Sequence, residues 1–209
     1  GSLDQIDLTL NVVEKPTGSF TIGAGYSSAD KLSFSFGLKQ ENVFGSGNYL
    51  GLEINTSRTG RALVFSTVDP YFTVDGISRA IDLYYRTSRP YNSLGNQYQI
   101  ATPGAAVRLG IPFSEYDTVF FGGGVEQTNI GSSTGIPAQY FNYRQLYGAK
   151  STSLPLTLGW ARDQRDSAIS PTAGRYQRVN LEWSIAGDVR YVRTNAQYQQ
   201  FFPLWQKLT

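Results

Sequence analysis

The chain has 209 residues with a formal net charge of +2, and it contains neither cysteine nor histidine. These absences exclude disulfide bonds, thiol chemistry, Ser-His-Asp catalysis and histidine-ligated zinc. The 18 Lys and Arg residues are scattered instead of clustered, which argues against nucleic acid as a partner, and no apolar run reaches the roughly 18 residues of a transmembrane helix.

The first residues are predicted to form a unit of their own. Residues 1–2, Gly-Ser, resemble a cloning remnant and are set aside. Residues 3–16 alternate apolar with acidic or polar side chains, which predicts a strand that ends at Pro16, because proline cannot donate to a strand ladder. Thr17 and Gly18 then break the pattern, so residues 3–16 are predicted to be separate from the rest of the chain.

About ten alternating segments come after Gly18, each of roughly 8 to 12 residues, close to the length that a tilted strand needs to cross hydrocarbon. Turn-forming sequences separate them. Residues 129–152 form the longest irregular stretch, with one or two helical turns predicted in Ala138–Tyr147. The segments centre on residues 20–26, 32–38, 50–54, 62–68, 81–85, 105–111, 119–127, 154–160, 179–185 and 191–202.

The alternation suits either a half-buried soluble sheet or a membrane barrel with a wet interior. Two further patterns favour the barrel. The polar positions are small or of mixed charge, and longer Ser/Thr/Gly-rich loops are expected to alternate along the chain with compact aromatic turns, as in outer-membrane barrels. The sequence therefore predicts an all-β fold, an antiparallel transmembrane β-barrel meander of about ten strands. The polar positions are Ser33, Ser35, Gly51, Glu53, Asp82, Arg86, Arg108, Asn180 and Glu182.

Five turn sequences resemble, in order and spacing, the start of the barrel domain of the BamA family, the outer-membrane β-barrel assembly factors of Gram-negative bacteria. The likeness leans toward the betaproteobacterial members and spans nearly the whole chain. The five are VEKPTGS at 13–19, QENVFGSG at 40–47, DPYFTVDG at 69–76, PFSEYD at 112–117 and DSAISPTAG at 166–174.

The resemblance implies a barrel of sixteen strands preceded by periplasmic POTRA domains. Residues 3–16 would be the end of the last POTRA domain, and residues 17–209 would be barrel strands one to ten. The remaining strands, the sixth loop and the other POTRA domains would then be missing, so the chain is expected to be a fragment. Whether it closes on itself, stays open or pairs with another copy is left open.

The implied function is assembly and insertion of other proteins in the cell outer membrane. The implied partners are outer-membrane lipid, nascent β-barrel clients and accessory assembly lipoproteins. Neither enzymatic activity nor a cofactor or metal is implied. A diffusion porin, a small closed outer-membrane barrel and a soluble β-sandwich binding module stay open as alternatives.

The resemblance implies two candidate sites. Strand one is expected to be an unpaired edge that templates client strands, and its glycines either weaken pairing with a closing strand or relieve crowding in a curved wall. The second candidate is a turn that contacts POTRA domains or accessory lipoproteins, or is simply a tight turn with Pro at its second position. The edge consists of Gly18, Ser19, Phe20, Thr21, Ile22, Gly23, Ala24, Gly25 and Tyr26, and the turn of Asp69, Pro70, Tyr71, Phe72, Asp75 and Gly76.

One charged cluster is a weaker candidate. Asp163 and Asp166 lie close in sequence to Arg162 and Arg165, which raises acid-base or calcium chemistry as an interpretation. The ligand spacing of a calcium loop is absent, so a solvated charge cluster near a turn is the prediction.

Overall fold

The computed structural model describes residues 16–89, 98–131 and 136–203. These residues form ten strands, one α-helix and a short 3-10 turn at Val43–Gly45. None of their helices is long and apolar enough to cross a bilayer. The predicted strand at 3–16 lies outside the described residues, apart from Pro16. The elements are β1 Gly18–Ser27, β2 Lys31–Gln40, β3 Tyr49–Thr56, β4 Gly60–Asp69, β5 Ser78–Ser88, β6 Gln99–Pro112, β7 Asp117–Gly131, α1 Ala138–Tyr147, β8 Lys150–Asp163, β9 Gly174–Gly187 and β10 Val192–Phe201.

The strands form one antiparallel meander in which each strand pairs with its neighbours in the chain. Within the described part of the chain, β1 pairs with β2 alone and β10 with β9 alone. The described strands therefore form an open sheet and do not close into the small barrel that is one of the alternatives. The all-β meander of ten strands is confirmed, and α1 coincides with the predicted helical turns.

The register places the alternating apolar side chains on one face, which we call the apolar face. One row crosses six strands in succession without changing sides. Phe34, Leu83 and Trp183 on this face are 54%, 48% and 56% exposed, so no second sheet covers them. A soluble β-sandwich, which buries that face, is inconsistent with this arrangement. The row consists of Leu38, Leu52, Phe65, Leu83, Ala105 and Val125.

The opposite side, the polar face, carries hydrogen bonds and ion pairs between strands. Arg108 Nη2 lies 2.6 Å from Asp82 Oδ2, and Ser66 Oγ donates to Asp82 Oδ1 at 2.7 Å. The Tyr84 hydroxyl donates to Glu126 Oε2 at 2.7 Å. Cross-strand pairs of this kind stabilise a sheet that has little buried apolar core.

Connections differ in length at both ends of the sheet, which corrects part of the prediction. The end that carries the β1–β2 connection, here the loop end, has two long segments, 89–98 and 132–149, but short ones at 28–30, 57–59 and 188–191. The opposite end, the turn end, carries residues 41–48, 70–77, 113–116 and 164–173. The predicted contrast of long loops and compact turns therefore holds for only two of the loop-end connections. Tight turns stabilised by serine and aspartate side chains make the others short.

Pro155 lies where the strand pairing is irregular. The register between β8 and β9 shifts at Leu154/Pro155, and Ile185 is the extra residue opposite. A bulge of this kind accommodates proline, which has no N–H to donate to a ladder.

Candidate functional site

The outer edge of β1 is the first candidate site. All of β1 pairs with β2, from Gly18 opposite Gln40 to Ser27 opposite Lys31. Within the described residues no strand pairs with its other edge. Because alternate residues of an antiparallel strand direct their N–H and C=O groups to opposite sides, this edge presents a row of donors and acceptors to an incoming strand.

The side chains of β1 give this edge two different faces. Phe20, Ile22 and Tyr26 lie on the apolar face and are 73%, 72% and 74% exposed. Thr21, Gly23 and Gly25 lie between them on the polar face. An incoming strand with the same alternation can therefore extend both faces of the sheet without changing register.

The glycines of β1 make room for serine hydroxyls on β2. A Cβ on Gly23 would overlap the Ser35 hydroxyl, and one on Gly25 would lie 3.1 Å from Ser33 Oγ. That hydroxyl donates to the Gly25 carbonyl at 3.2 Å. Crowding relief, one of the two predicted roles, thus has geometric support. Weakened pairing with a closing strand stays a prediction.

Side chains fasten both ends of β1 on the β2 side. At the turn end, the Thr17 hydroxyl accepts a hydrogen bond from the Gln40 side-chain amide at 2.8 Å, and the Thr17 carbonyl accepts one from the Glu41 N–H at 2.9 Å. At the loop end, Asp30 accepts hydrogen bonds from the hydroxyls of Thr59 and Ser57. We call Asp30, Ser57 and Thr59 the Asp30 clamp. It fixes the β1–β2 turn to the β3–β4 turn, at a distance from the outer edge of β1.

The sequence pattern did not predict the Asp30 clamp. Its members are 27 and 29 residues apart, and only the strand register brings them together. One sequence feature could have indicated it. In a meander, the β1–β2 and β3–β4 turns lie at the same end of the sheet, so an aspartate in one turn can meet the hydroxyl residues of the other.

The second candidate, the turn at 69–76, is held by hydrogen bonds among its own residues. The Asp69 carboxylate accepts the Tyr71 N–H at 3.2 Å, and the Gly76 N–H donates to the Thr73 carbonyl at 3.1 Å. Gly76 has φ +82°, a backbone conformation that glycine adopts without strain. The tight-turn description therefore fits.

The same turn also displays apolar side chains. Tyr71 is 80% exposed, and Val74 is fully exposed. The Arg79 guanidinium lies 4.1 Å from the centre of the Phe72 ring and fixes it against β5. The start of β1 lies at the same end of the sheet, but β2, β3 and β4 separate it from this turn. The structure does not bring the two candidate sites together.

The charged residues near 162–166 divide between different partners. Arg165 binds Asp163 with two hydrogen bonds, at 2.8 and 2.6 Å, whereas Arg162 pairs with Asp117 at 2.9 Å. Asp166 instead caps the turn by accepting the N–H groups of Ser167, Thr172 and Ala173 at 2.9–3.1 Å, together with the Thr172 hydroxyl. Across residues 16–89, 98–131 and 136–203, no group of three or more acidic side chains is placed to hold a metal ion.

These hydrogen bonds stabilise the charged form of Asp166. The Thr172 hydroxyl contributes most, followed by the backbone N–H groups, and together they lower the pKa of the carboxyl from 3.8 to about 2. The carboxylate is therefore part of the turn structure, with its oxygens directed at the chain and not at a ligand.

Comparison with known proteins gives consistent matches. A family model, the Omp85 superfamily domain, matches residues 42–209. The chain is 33% identical along its whole length to the outer membrane protein assembly factor BamA of Neisseria meningitidis serogroup B, covering 28% of that protein. It is 26% identical over 96% of its length to BamA of Nitratidesulfovibrio vulgaris, covering 25% of that protein.

The fold agrees with these matches. The crystal structure of BamA from Haemophilus ducreyi lacking POTRA domains 1-3 aligns with a TM-score of 0.71, covering 88% of this chain and 37% of that one. At 24% sequence identity this likeness shows the fold alone. The chain spans between a quarter and a third of the length of the two BamA relatives named above.

Proposed function

Because the chain belongs to the Omp85 superfamily, we propose that it is the β1-containing part of an outer-membrane protein assembly factor, and that β1 is the template on which client β-strands pair. The observation that carries this proposal is the outer edge of β1, which no strand pairs with in the described residues and which, unlike the equally unpaired edge of β10, has the apolar row Phe20, Ile22 and Tyr26 beside it. It combines backbone groups available for pairing with two side-chain faces that match an alternating client strand.

The membrane makes such a template effective. An unpaired N–H or C=O group in hydrocarbon costs several kcal/mol, so a client strand that enters the bilayer gains by pairing at once with an existing edge. The Thr17 contacts keep the start of β1 on β2 during this pairing, and the Asp30 clamp holds the β1–β2 turn in place, which leaves the outer edge as the surface that changes partner.

The first experiment tests the edge by photo-crosslinking. A photoreactive phenylalanine analogue replaces Phe20 or Tyr26 in the protein reconstituted in vesicles, and an unfolded outer-membrane barrel protein is added as client. We expect crosslinks to the client at both positions, because both side chains flank the free edge. The control replaces Leu181, which lies on the apolar face of β9 with strands paired on both sides. Equal crosslinking at Leu181 would contradict the template role.

The proposal extends to the parts of the relatives that flank this segment. Residues 3–16 would be the end of a POTRA domain and residues 17–209 the first ten strands of a larger barrel. The turn at 69–76 would be a contact for periplasmic POTRA domains or accessory assembly lipoproteins. Support for the turn comes from Tyr71 and Val74, which are exposed apolar side chains on a rigid backbone.

The second experiment removes those side chains. The double substitution Tyr71→Ser and Val74→Ser keeps the hydrogen bonds of the turn backbone, and we expect reduced co-purification of the accessory lipoproteins identified by mass spectrometry. The matched control is Phe44→Ser, which removes a fully exposed apolar residue from the neighbouring turn. Unchanged co-purification in the double variant would leave the turn with a structural role only.

A further inference from the structure

A groove lies on the apolar face where β6 carries small side chains between strands that carry larger ones. Ala105 lies between Leu83 of β5 and Val125 of β7, and Pro103 lies beside Tyr85. The surface is depressed over β6 because its neighbours extend further from the sheet. The groove has a volume of about 600 Å³, within the range of small-molecule sites.

The chemistry of the groove changes along its length. Toward the middle of the sheet its walls are Leu52, Phe65, Leu83 and Val125, and no charged side chain lines the groove. Toward the loop end it is lined by the cross-strand partners Gln127 and Thr152 on one flank and by Tyr85 and Leu63 on the other. Thr152 lies close to the start of β8 at Lys150, which places the polar end of the groove near the boundary of the sheet.

We propose that this groove binds one acyl chain of a lipid from the surrounding membrane, with the polar head of that lipid at Gln127 and Thr152. The groove is continuous with the apolar face. That face meets hydrocarbon in an outer-membrane protein, so lipid is the molecule that reaches the groove from its open side.

The polarity gradient gives the lipid its orientation. A chain that lies over Ala105 and Pro103 contacts side chains on both flanks, whereas a chain on the flat part of the face contacts them on one side only. Its polar linkage then reaches the Gln127 amide and the Thr152 hydroxyl on the loop-end side, which can form hydrogen bonds to it. The groove therefore selects a lipid from the leaflet on the loop side.

The experiment uses the purified protein in vesicles of phosphatidylethanolamine that contain a small fraction of the same lipid with a photoactivatable group in the middle of one acyl chain. Labelled peptides are identified by mass spectrometry after digestion. We expect labelling to concentrate on the peptides that contain Leu83–Tyr85 and Pro103–Ala105. The substitution Ala105→Phe fills the groove and should reduce this labelling by at least about fourfold, the equivalent of losing contact with one methylene group.

The control is Val107→Phe, which adds a ring on the same strand and face outside the groove. It should leave the labelling of Leu83–Tyr85 unchanged. Ala105→Leu fills less of the groove and provides an intermediate variant if Ala105→Phe does not fold. Even labelling along the apolar face of β3 to β9, or equal labelling in the Ala105 and Val107 variants, would overturn the proposal. None of these readouts depends on client assembly, so they are independent of the template role of β1.

Discussion

Ser184 and Ser151 are the fully buried side chains among the described residues of this sheet, and both are small and polar. The Ser184 hydroxyl donates to the Val189 carbonyl at 2.6 Å, and the Ser151 hydroxyl shares a hydrogen bond of 2.7 Å with that of Tyr143. A buried hydroxyl without a hydrogen-bond partner would destabilise the folded state, so these hydrogen bonds allow the two serines to be buried. Most large apolar side chains of the strands lie instead on the exposed apolar face.

The Asp166 cap gives a prediction with a defined pH dependence. Its folded pKa of about 2 lies below the ordinary 3.8, so the carboxylate stabilises the turn fully above the ordinary value and loses this effect as the pH falls through about 2. We expect the amide signals of Ser167, Thr172 and Ala173 to titrate together near that pH in an NMR experiment on the protein in micelles.

The variant Asp166→Asn supplies the control for this titration. The amide side chain keeps one acceptor oxygen but has no charge, so the coupled titration of the three N–H signals should disappear. Persistence of the same midpoint in Asp166→Asn would show that another group is responsible.

At the scale of elements, the number of strands and the face on which each side chain lies were predictable, because both depend on local alternation. The residues at which strands begin and end were harder to predict. β6 starts at Gln99, earlier than the predicted segment at 105–111, because Pro103 and its small neighbours carry no alternating pattern although Pro103 pairs opposite Tyr85. Partners such as Tyr84 and Glu126, 42 residues apart, depend on register, which no local pattern records.

The free edge of β1 illustrates the same division. The alternation of Phe20, Ile22, Ala24 and Tyr26 predicted the strand and its faces, but the absence of a partner strand on one side is a property of the whole sheet. The family resemblance predicted that edge, and the strand order within the described residues shows β1 paired on one side only.

The Asp30 clamp predicts that the β1–β2 and β3–β4 turns are stabilised together. Replacing Asp30 by Ala removes the acceptor for Thr59 and Ser57, and loss of a hydrogen bond worth about 1 kcal/mol corresponds to roughly fivefold faster hydrogen exchange. We expect this acceleration at the Gly60 amide, which is held by Ser57 Oγ at 3.1 Å, measured by exchange and mass spectrometry.

The matched control is Glu115→Ala, which removes an exposed carboxylate from a turn at the opposite end of the sheet. It should leave exchange at Gly60 unchanged. Acceleration confined to residues 28–31 in Asp30→Ala, without any at residues 57–60, would mean that the two turns are not coupled.

On the scale of the whole molecule, the sheet has one face for hydrocarbon and one for water. The apolar face is exposed over all ten strands, and the polar face carries ion pairs such as Asp82 with Arg108 and Glu182 with Arg193. A structure with this division stays folded where both environments are present, which agrees with the Omp85 membership and an outer-membrane location.

Neighbouring residues on opposite faces give the sharpest test of this division. Leu158, near the middle of β8, lies on the apolar face and is 52% exposed, and Thr157 lies on the polar face opposite Glu182. Leu158→Arg places a charge in hydrocarbon and should reduce the free energy of unfolding in lipid by about 2–4 kcal/mol, whereas Thr157→Arg faces a carboxylate in a wet environment and should cost less than about 1 kcal/mol. Denaturant unfolding in vesicles, followed by tryptophan fluorescence, measures both. Equal losses in the two variants would mean that the apolar face of this sheet does not meet the membrane, because hydrocarbon is what makes an arginine at position 158 costly.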